Sequence, residues 1–202
     1  MPKTFTEKEK EYISGRLTDE AQKCLAIYGI RKTTVDELVR RVNIPKGTFY
    51  LFYESKDRLL FDVILRFNDE VQADLLREVA PLTAIPDADE LTNIIFRFYE
   101  NLDNSFLPRL LRDGELEYFM RTLPPELTKL HAEHDADGVR GLLSALPGVP
   151  PEKAELFSAA LRGVFMTILH KDEVGGENYD DALRLLIRGV VLQMLEGISK
   201  EG

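Results

Sequence analysis

Residues 29–56 read GIRKTTVDELVRRVNIPKGTFYLFYESK, and their pattern is the most informative in the chain. Thr34 and Glu37 have the spacing of a capping box, in which each side chain satisfies a free backbone amide at the start of a helix. Val35, Leu38 and Val42 follow at helical spacing. The pattern therefore predicts a short helix with these three side chains directed inward.

A tight turn and a second short helix come next. After glycine, asparagine best tolerates a positive φ, so Asn43 suits a turn, and Pro45 suits the first position of a new helix. That new helix is predicted from Lys46 to about Phe52, a length of only two turns. A short helix, a tight turn and a very short helix form a helix-turn-helix.

The segment before this motif is predicted to be one helix. Thr6 and Glu9 form another capping-box pattern, and Gly29 is expected to end the helix after Tyr28 because glycine readily adopts a left-handed conformation. The predicted buried residues of this helix are Ile13, Leu17, Cys24 and Leu25.

Helices are also predicted beyond the motif. Ser55 caps a long fourth helix that reaches Val79, where Ala80-Pro81 ends it, and no convincing alternating strand follows. We therefore expect an all-α protein.

Charge is divided unevenly along the chain. The formal net charge of −9 argues at first sight against nucleic acid. Residues 1–66, however, hold 13 Lys and Arg against 10 Asp and Glu, a net of +3, and the remainder holds 13 against 25, a net of −12. A basic N-terminal segment followed by an acidic remainder favours phosphate binding by the N-terminal segment. The alternative is that a net charge as small as +3 arises by chance.

The quoted stretch resembles the DNA-binding signature of the TetR family, above all in the core Lys46-Gly47-Thr48-Phe49-Tyr50 and in the following Ser55-Lys56. The resemblance implies a three-helix DNA-binding domain over residues 1–53. It implies that the long fourth helix joins this domain to a helical bundle, residues 54–202, for ligand binding and dimerisation. The implied function is that of a transcriptional repressor released from a palindromic double-stranded DNA operator by a small-molecule effector.

The short second helix of the motif can enter the major groove and present side chains to base edges. Gly47 permits close approach, either to DNA or to the helix packed behind it, and Thr48 offers a hydroxyl to a base or a phosphate. Leu51 either touches a thymine methyl group or packs within the protein. The resemblance implies that Tyr50 hydrogen-bonds a phosphate.

Other predicted DNA-binding residues carry phosphate contacts. Lys46 and Lys56 supply positive charge, and Lys56 lies in the first turn of the fourth helix, where the helix dipole also favours an anion. Thr33 and Thr34 lie where the second helix begins, although Thr34 is needed as a cap regardless of DNA.

The last two helices, about residues 152–170 and 178–199, form the predicted surface of a homodimer. The apolar surface of the final helix is wider than one buried stripe, which favours contacts with both its own core and a partner. The alternative is a helix buried within a monomer. The predicted interface residues are Leu156, Ala160, Gly163, Leu185, Gly189 and Leu192.

Aromatic and methionine side chains across the middle helices suggest an apolar or aromatic effector, although such residues also build cores. The predicted pocket residues are Phe98, Phe106, Tyr118, Phe119, Phe165 and Met166.

Catalysis is not expected, because the sequence has no nucleophile–base pair and no phosphate loop, and no cofactor is predicted. His131, His134 and Asp135 share a helix face, but exposed histidines explain them better than a metal site does. No apolar run approaches membrane-spanning length, and a lone cysteine fits a reducing cytoplasm. The alternative function is a DNA-binding protein of the same fold with an architectural role.

Overall fold

Helices are the only regular secondary structure in the part of the chain that the computed structural model describes, residues 5–131, 146 and 151–199. The α-helices in chain order are α1 (Glu7–Lys32), α2 (Val35–Val42), α3 (Lys46–Phe49), α4 (Lys56–Val79), α5 (Ala88–Asp103), α6 (Leu107–Arg112), α7 (Glu115–Thr122), α8 (125–131), α9 (Pro151–Ile168), α10 (Lys171–Val174) and α11 (Tyr179–Ser199). The all-α prediction is confirmed for these residues.

Two of the predicted helix starts are present as expected. The Thr6 hydroxyl accepts a hydrogen bond from the Glu9 amide at 3.3 Å, and the Glu9 carboxylate accepts one from the Thr6 amide at 2.8 Å. The Ser55 hydroxyl accepts from the Arg58 amide at 3.1 Å, and α4 ends at Val79 as predicted. Local side-chain chemistry thus sets both helix starts.

The capping box predicted at the start of α2 is only half formed. The Thr34 hydroxyl accepts from the Glu37 amide at 3.2 Å, but the Glu37 carboxylate is occupied by the guanidinium groups of Arg40 and Arg41. Hydrogen bonds from a charged donor are stronger than those from a neutral amide, which explains the difference from the prediction.

Gly29 breaks the helical backbone of α1, with φ 76° and ψ −175°. The prediction of a break at this residue is therefore confirmed, but the predicted end at Tyr28 is wrong, because helical structure resumes and α1 ends at Lys32. This conformation is the mirror image of extended backbone, and essentially only glycine adopts it.

Asn43 ends α2 in the left-handed conformation, with φ 60° and ψ 51°, as predicted. Pro45 lies one position earlier than expected: its extended backbone makes it the N-cap of α3, and Lys46 is the first helical residue. Proline suits this position because its missing N–H would have no partner at the start of a helix.

The α-helical part of α3 is shorter than predicted, ending at Phe49 rather than near Phe52. Tighter turns follow, in which the amide of Leu51 donates to the Thr48 carbonyl at 3.1 Å and the amide of Phe52 donates to the Phe49 carbonyl at 3.0 Å. Such tightening is common at helix ends because it satisfies the last carbonyl groups.

The described residues divide into two compact units. The first unit draws on Met1–Asn68 and Arg109–Pro125, and in it α1 packs against α2 and α7, and α2 packs against α3. Its most deeply buried side chains include Leu17, Leu25, Leu38, Phe49, Leu59 and Leu60.

The second unit draws on Asp69–Pro108 and Glu126–Gly202. Here α11 packs against α5 and α9. Buried side chains of this unit include Leu91, Phe96, Ile168, Ile187, Val191 and Met194.

Candidate nucleic-acid interface

The surface of α3 and the turn after it presents four of the predicted DNA-binding residues to solvent. Tyr50 and Leu51 are 51% and 70% exposed, and Lys46 and Gly47 are also exposed. Thr48 is half-buried. The side chains of Tyr50 and Leu51 are therefore accessible to a partner.

The buried side of the same segment is fixed by aromatic residues. Phe49 is fully buried and meets the Tyr50 ring edge-on at 5.2 Å between ring centroids. The Tyr53 hydroxyl lies 3.2 Å from Ser14 Oγ and 3.4 Å from Thr18 Oγ1 on α1. These contacts hold a segment that is too short to be stable alone.

Gly47 has open space where a Cβ would be, with no atom within 4 Å. Its φ also lies outside the left-handed region. Of the two explanations offered for this glycine, close packing against a helix of the same chain therefore finds no support. Close approach of an external molecule remains.

The predicted phosphate-binding residues before α2 and at the start of α4 differ in accessibility. Thr34 is exposed, whereas Thr33 is fully buried and its hydroxyl donates to the Gly29 carbonyl at 2.7 Å. The Lys56 ammonium is partly buried and donates to the Ile30 carbonyl at 3.1 Å. Thr33 and Lys56 therefore both bond to the backbone around the break in α1.

An ion-pair network joins α1 to α2. Arg41 contacts Glu37 at 2.6 Å and Glu20 at 3.4 Å, and its guanidinium lies over the Tyr28 ring. Hydrogen bonds from Arg40 and then Arg41 lower the pKa of the Glu37 carboxyl to about 2. Because this pKa lies below that of an unfolded chain, the network stabilises the fold above about pH 4.5, and this contribution is lost as the pH falls towards 2.

Two residues from outside the helix-turn-helix, Glu115 and Arg109, bond to the backbone around the break in α1. The Glu115 carboxylate accepts a hydrogen bond from the Ile30 amide at 2.6 Å, and the Arg109 guanidinium donates to the carbonyls of Ala26 and Ile27 at 3.0 and 2.8 Å. Glu115 is 85 residues from Ile30 in sequence, so no local pattern could have revealed the contact. The glycine at position 29, a residue that readily adopts a positive φ, was the only feature of the sequence that indicated a break there.

The six predicted pocket residues are divided between the two units. Tyr118 and Phe119 belong to the first unit, where Tyr118 is exposed beneath the Arg31 guanidinium and Phe119 is buried. The other four belong to the second unit; Phe106 is buried, Phe98 and Phe165 are half-buried and Met166 is exposed.

The predicted dimer residues lie on α9 and α11, which pack together in the second unit. Leu156, Leu185 and Leu192 are 66%, 73% and 41% exposed. Gly163 and Gly189 are exposed, with nothing within 4 Å of an added Cβ. The pair of helices therefore presents apolar and small residues to solvent.

Neither a metal cluster nor a membrane span is found within the described ranges. No group of three or more His, Cys, Asp or Glu side chains there could hold a metal ion, and none of the helices is long and apolar enough to cross a membrane. His134 and Asp135 lie outside these ranges.

The helix-turn-helix segment is similar to known DNA-binding regulators. Residues 17–63 match the family described as bacterial regulatory proteins, tetR family. A curated relative, an uncharacterized HTH-type transcriptional regulator called YuxN from Bacillus subtilis, is 30% identical over 115 residues. That match covers 55% of this chain and 37% of the relative, so the chain spans little more than a third of the relative's length.

Solved structures share the fold over most of the chain. A Mesorhizobium loti protein assigned to the TetR family of transcriptional regulators is 16% identical with a TM-score of 0.69, over 93% of this chain and 98% of that one. The TetR-family regulator SCO4454 from Streptomyces coelicolor is 18% identical with a TM-score of 0.64, over 91% and 96%. FadR from Bacillus subtilis, solved with stearoyl-CoA, is 14% identical with a TM-score of 0.58, over 87% and 98%.

The curated relative and these two TetR-family structures are all named as transcriptional regulators. Residues 17–63, which carry the helix-turn-helix, match the family of bacterial regulatory proteins described as the tetR family.

Proposed function

We propose that the chain is a sequence-specific, DNA-binding transcriptional regulator that represses from a palindromic operator as a homodimer and is released by a small-molecule effector. The observation that carries the proposal is the uncharged surface formed by Gly47, Tyr50 and Leu51, which are exposed, and by half-buried Thr48, on a helix-turn-helix anchored by buried Phe49. Hydroxyl and apolar groups of this kind read base edges in the major groove, whereas phosphate contacts position the protein. Lys46 and Thr34 are the exposed candidates for phosphates and Lys56 is a partly exposed one, whereas Thr33 is left out because its side chain is buried.

Fluorescence anisotropy with labelled DNA from upstream of the chain's own gene tests the proposal. We expect tight, saturable binding that resists random competitor DNA, with two protomers, or a multiple of two, per site. Binding that random competitor removes completely, both for this DNA and for fragments of a genomic library, would contradict sequence-specific recognition.

Effector release is proposed for an apolar or aromatic ligand of the second unit, where half-buried Phe98 and Phe165 lie near the surface. The stearoyl-CoA bound to the FadR neighbour makes acyl-CoA thioesters one class to include in a screen. A ligand that fits this role raises the melting temperature and lowers DNA affinity together, because it can shift the equilibrium only by binding the two states differently. A stabilising ligand that leaves DNA affinity unchanged would argue against release.

Gly47→Ala is expected to weaken operator binding at least about tenfold, comparable to the loss of one good base contact. The added methyl group meets no atom of the protein, so the free energy of unfolding should stay constant or rise by about 0.5–1 kcal/mol from improved helix propensity. Anisotropy and thermal unfolding measure the two quantities. Gly15→Ala is the matched control, because Gly15 is also helical with open space around it. If both variants bound the operator with wild-type affinity, the prediction that DNA approaches closely at Gly47 would be wrong.

Lys56→Ala and Thr48→Ala are expected to differ in kind. Loss of the Lys56 charge should weaken binding to all sequences and flatten the salt dependence by about one unit of slope. Because the ammonium also bonds to the Ile30 carbonyl, the melting temperature should fall as well. Thr48→Ala should instead change the preference among operator sequences, and identical behaviour of the two variants would contradict the division into phosphate and base contacts.

A further inference from the structure

Lys46, the first residue of α3, is held by a carboxylate of the same motif. Its ammonium lies 2.9 Å from Oδ1 and 3.1 Å from Oδ2 of Asp36, in the first turn of α2. Both side chains are well exposed, and the hydrogen bond to Asp36 raises the pKa of Lys46. The charge that the helix-turn-helix offers to a phosphate at this position is therefore already compensated.

The other cations of the motif are compensated in the same way. Within residues 34–51, all of which the structure describes, Arg40 and Arg41 both bond to Glu37. The segment has three cations and two carboxylates, and each cation is in an ion pair. The net charge of this segment is therefore only +1, so it attracts the phosphate backbone less than three unpaired cations would.

We propose that Asp36 is a specificity-determining residue that limits non-specific DNA binding by neutralising Lys46. Non-specific affinity comes almost entirely from cations that displace counterions from phosphates, whereas sequence is read by contacts with base edges. Occupying Lys46 lowers the first contribution and leaves the uncharged groups of Gly47–Leu51 unaffected. The inference rests on the proposed function and adds how the same surface separates operator from bulk DNA.

Stability alone explains the pair poorly. An exposed ion pair stabilises a fold little, because water screens it and ordering two long side chains opposes it. The ion pair joins α2 to α3, but Phe49 and the buried face of α2 already hold these helices. A role in DNA selection predicts an effect on salt dependence, which a purely structural role would not produce.

Asp36→Asn tests the inference, because it removes the charge and keeps the size of the side chain. Anisotropy would be measured on a random-sequence duplex and on an operator duplex selected with the wild-type chain, across a series of KCl concentrations. We expect affinity for random DNA to rise about tenfold and the salt dependence to steepen by about one unit of slope, the effect of one further phosphate contact. Operator affinity should rise less, so the ratio of specific to non-specific affinity falls.

Two further variants separate the outcomes. Glu90→Gln removes the same charge from the first turn of α5, in the other unit, and should leave the slope unchanged. Asp36→Asn in a Lys46→Ala background should also leave the slope unchanged, because no ammonium is released.

Wild-type slope and specificity in Asp36→Asn, or weaker binding of both duplexes, would overturn the inference while the proposed function stands. Failure of the wild-type chain to prefer any DNA sequence would overturn the proposed function itself. Thermal unfolding of Asp36→Asn close to that of the wild type would confirm that the comparison concerns folded protein.

Discussion

Replacing Gly29 with alanine is expected to lower the free energy of unfolding by about 2–4 kcal/mol. Gly29 has φ 76° and ψ −175°, a region in which a Cβ collides with the backbone. The new Cβ would also lie 2.5 Å from Glu115 Oε2. Relief of that contact requires the carboxylate to leave the Ile30 amide, a partly buried donor that it bonds at 2.6 Å.

Chemical denaturation of Gly29→Ala, Glu115→Ala and the double variant measures their free energies of unfolding. The comparison separates backbone strain at residue 29 from loss of the hydrogen bond between Glu115 and the Ile30 amide. Glu115→Ala alone should cost about 1–3 kcal/mol, because the Ile30 amide loses its acceptor. The double variant should be destabilised by less than the two single effects combined, since the same hydrogen bond is lost in each. Gly15→Ala, at an unstrained helical position, should show no loss; a Gly29→Ala variant as stable as Gly15→Ala would contradict the strained backbone at residue 29.

The break at Gly29 also bears on the DNA-binding surface. It lies five residues before Thr34, the N-cap of α2, and the intervening backbone is held by Lys56, Glu115 and the Thr33 hydroxyl. A change of backbone direction at residue 29 therefore changes how α2 leaves α1. We expect Gly29→Ala to lose operator affinity at temperatures where it is still folded.

Local chemistry made the helix-turn-helix predictable from the sequence. A cap depends on side chains within one turn, and a positive φ depends mainly on one residue, so Thr6, Asn43 and Ser55 could be interpreted without tertiary information. Ala80-Pro81 likewise predicted the end of α4 at Val79, because proline cannot continue a helix.

Competition and distance explain what the sequence could not reveal. The half-formed capping box of α2 reflects two arginines that outcompete one amide for Glu37. The contacts of Glu115 and Arg109 with α1 join residues more than 80 positions apart. The six aromatic and methionine residues predicted for a pocket belong to different units, which periodicity could not show because it reports burial but not the partner against which a side chain is buried.

Leu185→Glu is expected to convert the proposed homodimer into a monomer. Leu185 is 73% exposed on α11, and Leu156 on the adjoining α9 is 66% exposed; each helix also carries an exposed glycine, Gly189 and Gly163. Burial of a leucine contributes about 1.5–3 kcal/mol, and a twofold interface contains each residue twice. Loss of both leucines, with a carboxylate placed in each position, should raise the dimer dissociation constant at least about 100-fold.

Analytical ultracentrifugation measures whether the variant is a monomer or a dimer. Fluorescence anisotropy with a palindromic operator measures its DNA affinity. A monomer reads one half-site, so operator affinity should fall to the level measured on a half-site duplex. Leu156→Glu on the other helix should behave in the same way, whereas Ile85→Glu, an exposed apolar residue in the α4–α5 connection of the same unit, should leave the dimer intact. A Leu185→Glu variant that stays dimeric would show that the interface lies elsewhere. A wild-type chain that binds its operator tightly as a monomer would show that dimerisation through α9 and α11 is not required for DNA binding. A dimer lost together with operator affinity would link the exposed face of α9 and α11 to recognition by α3, because neither short recognition helix reads enough bases alone.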